Sequence, residues 1–171
     1  MSDSKTLSAV DFLSLANEYV VARVDLATIG RSGVLYVREL TADEKADVLP
    51  RPKGKARVYR DQSLEIDWGQ LSPEAATKFL KTCLVEGKDG ADLAARFGAN
   101  GHSQATAVLQ EGEIVPMYDA ILLEVGRPHL ANEAIGKLPN AVVDLLVKTI
   151  RDISGLNEDQ EGDDLEDQKK E

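Results

Sequence analysis

Two histidines and a single cysteine are the residues through which this chain could most readily do general-base or metal chemistry. A Ser-His-Asp or Cys-His mechanism needs one histidine as the base, held against a nucleophile in a recognisable strand-turn-helix context. His102 stands in the small polar run Gly98-Ala99-Asn100-Gly101-His102-Ser103, which reads as a surface loop, so a solvated loop residue explains it better than a general base. His129 and Glu133 are four apart and can share a helix face, which is half of a metal site. With no third ligand nearby, an exposed hydrogen-bonded pair is the better reading. Cys83 falls on the apolar face of a helical pattern, where a thiol behaves as a small hydrophobe with a raised pKa. Gly87-Lys88-Asp89-Gly90 lacks the spacing of a phosphate loop, and Asp89 would repel the phosphate, so it reads as a turn. No catalytic, cofactor-binding or metal set emerges, and no cofactor is expected.

One basic island could bind phosphate. Residues 51–60 hold Arg51, Lys53, Lys55, Arg57 and Arg60 beside Tyr59. No RNA- or DNA-binding signature accompanies them, and 20 Lys+Arg against 30 Asp+Glu leave a net charge of -10 that repels nucleic acid and anionic lipid. A solubilising loop, able to fold back on acidic residues of its own or another chain, is favoured. One Cys forms no internal disulfide, and two His with one Cys fall short of the usual four zinc ligands. Apolar runs such as Ala120-Ile121-Leu122-Leu123 are far short of the ~18 residues of a membrane helix. The start Met1-Ser2-Asp3-Ser4-Lys5 lacks the pattern of a secretory signal, so a cytoplasmic protein with no nucleic-acid or membrane partner is expected.

The elements around these residues are readable from period and punctuation. Ser8 and Asp11 resemble a capping box that opens a short helix with Val10, Phe12, Leu13 and Leu15 in its first turns. Residues 19–29 alternate as a strand through Val24, Leu26 and Thr28 to a turn at Gly30-Arg31-Ser32-Gly33, and residues 34–40 return as a second strand, making a hairpin. Thr41 and Glu44 form a second capping box, for a helix that Pro50 stops. Residues 64–68 alternate Leu, Glu, Ile, Asp, Trp and read as another strand. Ser72-Pro73-Glu74 starts a helix with Ala76, Phe79, Leu80, Cys83 and Leu84 on one face, expected to run to a cap at Gly87. From Pro116 to Gly126 a helix competes with a strand. Pro139, at the first helical position, opens a last helix whose stripe Val142, Leu145, Leu146, Thr149, Ile150 and Ile153 leads to a stop at Gly155.

These patterns predict one α+β domain over residues 5–156, a small antiparallel sheet built on the N-terminal hairpin and packed by four or five helices. Residues 157–171 contain eight acidic and two basic residues, a local net of 2 − 8 = −6, with Leu165 as the only large apolar side chain. Such a segment cannot offset an ordering entropy of roughly 1–2 kcal/mol per residue, so a disordered acidic tail is expected.

The order of the parts resembles one family. The hairpin of residues 24–41 ending in Val37-Arg38-Glu39-Leu40-Thr41, the capped helix after it, the stretch 78–90, and the ending Ile153-Ser154-Gly155-Leu156-Asn157 before an acidic tail are similar to tail assembly chaperones of long-tailed, siphovirus-like bacteriophages. The likeness covers residues 20–49 and 75–157, while the basic loop, the Trp68 strand and residues 91–113 look like additions to the common pattern. The resemblance implies a non-enzymatic protein of the host cytoplasm, absent from the mature virion, that binds the tape-measure protein, keeps it soluble and helps tail-tube subunits assemble around it. It also points to the major tail protein as a second partner and leaves open a homo-oligomer and a frameshifted longer form, for which Lys169-Lys170 would encode a slippery run. Partner-binding candidates are the outward hairpin positions Val34, Tyr36 and Arg38 and the tail acids Glu158, Asp159, Asp163 and Asp164. The alternative is a structural tail or head-tail connector subunit retained in the particle.

Overall fold

The computed structural model describes residues 6–48, 71–98 and 105–156. The strand expected at residues 64–68, the basic island 51–60, His102 and the acidic tail lie outside them. In chain order the described elements are helix α1 (Ala9–Ala16), strands β1 (Glu18–Asp25) and β2 (Val34–Arg38), helices α2 (Ala42–Val48) and α3 (Pro73–Cys83), strands β3 (Leu84–Gly87), β4 (Thr106–Gln110) and β5 (Ile114–Pro116), and helices α4 (Met117–Val125), α5 (Pro128–Gly136) and α6 (Asn140–Ile153). The strands form one antiparallel sheet in the order β4-β1-β2-β3-β5. This is an α+β fold built on the expected hairpin, in which Val24 faces Leu35 and Ala22 faces Val37. Six helices are described, and α1 contributes to neither core.

Alternation along the strands sends side chains to both faces of the sheet. Ala22, Val24, Val37 and Leu84 pack under Phe79, Leu80 and Cys83 of α3 and Val142, Leu146 and Ile150 of α6. On the opposite face Val21, Val85, Leu109 and Ile114 are covered by Leu93 and Phe97, with the Tyr36 ring 5.2 Å from that of Phe97. Burial of both faces is why β1 and β2 read as near-continuous apolar runs.

Three expectations are corrected. The first strand stops at Asp25, whose carboxylate accepts the Ala27 N–H at 2.9 Å and turns the chain into a 3-10 segment, Leu26–Ile29. Helix α3 ends at Cys83, not at Gly87, because Leu84 and Val85 pair with Val37 and Tyr36 and each fills one of the two cores. Residues 106–110, for which no strand was expected, form β4, which pairs with β1 along its length. Pro116 does open a helix rather than a strand, closed by Gly126 at φ +66°. Pro139 takes the N-cap position, one residue earlier than expected, and α6 ends in a paired cap: the Leu156 N–H donates to the Arg151 carbonyl at 2.9 Å past left-handed Gly155.

Candidate functional site

The Thr41-x-x-Glu44 box does more than start a helix. Glu44 N–H donates to Thr41 Oγ1 at 3.2 Å and Thr41 N–H donates to Glu44 Oε2 at 3.0 Å, which fixes the carboxylate beside the end of β2. Arg38, the last residue of that strand, meets it with both terminal nitrogens, at 2.6 and 2.8 Å. The same guanidinium donates to the Glu39 carbonyl at 2.9 Å and lies 4.7 Å from the centre of the Tyr19 ring. The hydrogen bonds from Arg38 hold the Glu44 carboxyl below its usual range. Nearby, the Ser154 hydroxyl accepts the Leu40 N–H at 3.0 Å and the Ser154 carbonyl accepts Lys45 Nζ at 2.7 Å, tying the end of α6 to the junction of β2 and α2.

The hairpin residues proposed as outward contacts are therefore placed differently. Arg38 is 8% exposed and committed to Glu44 and Tyr19, so it is a structural fastener rather than an open contact. Tyr36 is half-buried against Phe97, and Val34, at the start of β2, is half-buried too. The sequence showed the alternation but not that residues 93–97 cover that face. Glu158, Asp159, Asp163 and Asp164 fall outside the described residues.

Open apolar surface lies elsewhere. Helix α1 forms as expected: the Ser8 hydroxyl accepts the Asp11 N–H, and the Asp11 carboxylate accepts the Ser8 N–H at 2.9 Å and its hydroxyl at 2.7 Å. These bonds from Ser8 lower the Asp11 pKa. Yet Val10, Phe12, Leu13 and Leu15 remain 76, 65, 64 and 52% exposed, and α1 has no buried residue. At 100° per residue, Phe12, Ala16, Ala9, Leu13 and Val10 form one apolar face opposite Asp11. An amphipathic helix whose apolar face joins neither core among the described residues is a surface suited to contact. Periodicity revealed the helix; its exposure was not legible, since the same pattern also fits a buried one.

The residues with reactive side chains are occupied structurally. Cys83 is buried at the end of α3, and burial pushes its thiol up to about 12. Glu133 pairs with Lys137 one turn on, which lowers its pKa, with His129 adding a smaller pull. A groove of about 570 Å³ runs between α3, α4 and α5. Within it Lys81 donates to Asn132 Oδ1 at 2.8 Å and sits 4.1 Å from the Tyr118 ring centre, while the Thr77 and Thr82 hydroxyls donate to carbonyls one turn back in α3. Among the described residues no group of three His, Cys, Asp or Glu could hold a metal ion, and no helix is long and apolar enough to cross a membrane. No protein-family model, curated protein or solved structure matches the chain.

Proposed function

We propose that this chain is a tail assembly chaperone of a long-tailed bacteriophage, acting by protein binding and not by catalysis. It binds the tape-measure protein in the host cytoplasm, keeps it soluble, and releases it as the tube of major tail protein grows. The observation that supports this reading is α1: a capped amphipathic helix with Val10, Phe12 and Leu13 held in solvent. A long helical client presents apolar stripes of the same kind, and helix-on-helix contact would cover both. The net charge of -10 would keep such a complex dispersed.

Co-expression with the long helical protein of the same genome tests this. The wild-type chain should bring it into the soluble fraction, and a variant carrying Val10→Ser, Phe12→Ser and Leu13→Gln should not, while keeping the wild-type melting curve. Mass spectrometry of purified particles then separates a chaperone, absent from them, from a tail or connector subunit, present in fixed proportion. A client left insoluble by the wild-type chain would overturn the proposal.

A further inference from the structure

Helices α3, α5 and α6 leave a groove of about 350 Å³ between them. Its walls are aliphatic: Leu80, Ile135, Leu138, Val143 and Val147 line it together with Leu71, and Leu138 and Val143 are only half-buried. Asn140 and Asp144, both exposed, also line it, and their side-chain oxygens can accept hydrogen bonds. An aliphatic floor beside acceptors suits a flat aromatic side chain that carries one N–H, which describes an indole. Leu71 packs on the core that α3 and α6 share, and it is the residue at which the described chain resumes after residue 48. At the other end of segment 49–70, Lys78 Nζ of α3 donates to the Asp47 carbonyl at 3.0 Å, so the chain leaves and re-enters against the same helix. Trp68, the chain's one tryptophan, stands three residues before Leu71, with Gly69 and Gln70 between them.

We infer that residues 64–70 dock on their own chain, with the Trp68 indole seated in the groove between α3, α5 and α6. Three residues of extended chain span about 10 Å, so a side chain at position 68 is within reach of a groove whose wall Leu71 forms. The tether selects this occupant. A link of two residues holds the indole at an effective concentration in the ~mM range, and an aromatic side chain of a second copy or of a client has to overcome that advantage to replace it. The groove's chemistry selects it as well: the aliphatic walls take the ring, and Asn140 or Asp144 accepts its N–H.

With one tryptophan in the chain, intrinsic emission reads this contact directly. The native full-length protein should emit well to the blue of the urea-unfolded chain, and acrylamide should quench it several-fold less efficiently. A nitroxide on Asp144→Cys should quench Trp68 strongly, while the same label on Val108→Cys, in the edge strand β4, should leave it bright; Cys83 is buried and stays unlabelled. Trp68→Ala should lower the urea midpoint, and Val143→Glu in the groove wall should move native emission to the red with the helical signal retained. The nitroxide pair decides the matter even where Val143→Glu fails to fold. The α1 variant Val10→Ser, Phe12→Ser, Leu13→Gln should leave every reading unchanged, which keeps this inference separable from the chaperone proposal. Native emission equal to that of the unfolded chain overturns it. So does a blue-shifted emission that the Asp144 nitroxide leaves unquenched, which would seat the indole elsewhere, or a blue shift that disappears on dilution, which would put a second copy in the groove.

Discussion

Arg38 and Glu44 show how one strand end and one helix start are held together by charge. Burial of the guanidinium is costly unless every donor finds a partner, and here Glu44, the Glu39 carbonyl and the Tyr19 ring share that work. Because the folded Glu44 carboxyl sits below its unfolded value, its contribution is fully present above the usual carboxylate range and is lost as pH falls through the folded value. Urea unfolding at pH 7 and at about pH 3 should therefore differ less in Glu44→Gln than in the wild type, since the variant has already lost that proton-linked part. Arg38→Met should cost about 2 kcal/mol at pH 7, short of a fully buried pair because Glu44 is partly open to water. Ser154→Ala makes a separate point: it orphans the buried Leu40 N–H and should cost about 1–3 kcal/mol by the same measurement. An unchanged urea midpoint in Ser154→Ala would show that the end of α6 does not depend on that bond.

At the scale of elements, what the sequence discloses depends on whether the signal is local. Capping boxes at Ser8 and Thr41, the Ser72-Pro73 start and the Gly126 and Gly155 stops are short-range chemistry, and each is found where its residues put it. The boundary between α3 and β3 is not local. No glycine or proline separates Cys83 from Leu84, and only pairing with Tyr36 and Val37, nearly 50 residues earlier, makes the chain extend there. Strand β4 was missed for the same reason: its partner β1 lies more than 80 residues away. The exposure of the α1 face is illegible in principle, because a sequence period tells which side chains share a face and not whether anything covers it. Gly87 illustrates the distinction. Expected as a helix cap, it is a strand residue at φ −69°, and a Cβ there would lie 1.8 Å from the Ala91 carbonyl oxygen. Gly87→Ala should accordingly destabilise by more than 2 kcal/mol through a displaced turn, whereas Gly155→Ala, strained only by its φ of +68° with open space around it, should cost about 1 kcal/mol. Equal melting temperatures for the two variants would contradict this difference.

For the whole molecule the decisive quantity is where the charge lies relative to the contact surfaces. Removing residues 158–171 deletes eight acidic and two basic side chains, taking the formal net charge from −10 to −4. Both hydrophobic cores are built from residues before 157, so the truncated chain should melt as one cooperative unit at the wild-type temperature. Calorimetry of the full and truncated chains reads this directly, and a lowered or broadened transition in the truncated chain would mean that the acidic segment contributes to the fold.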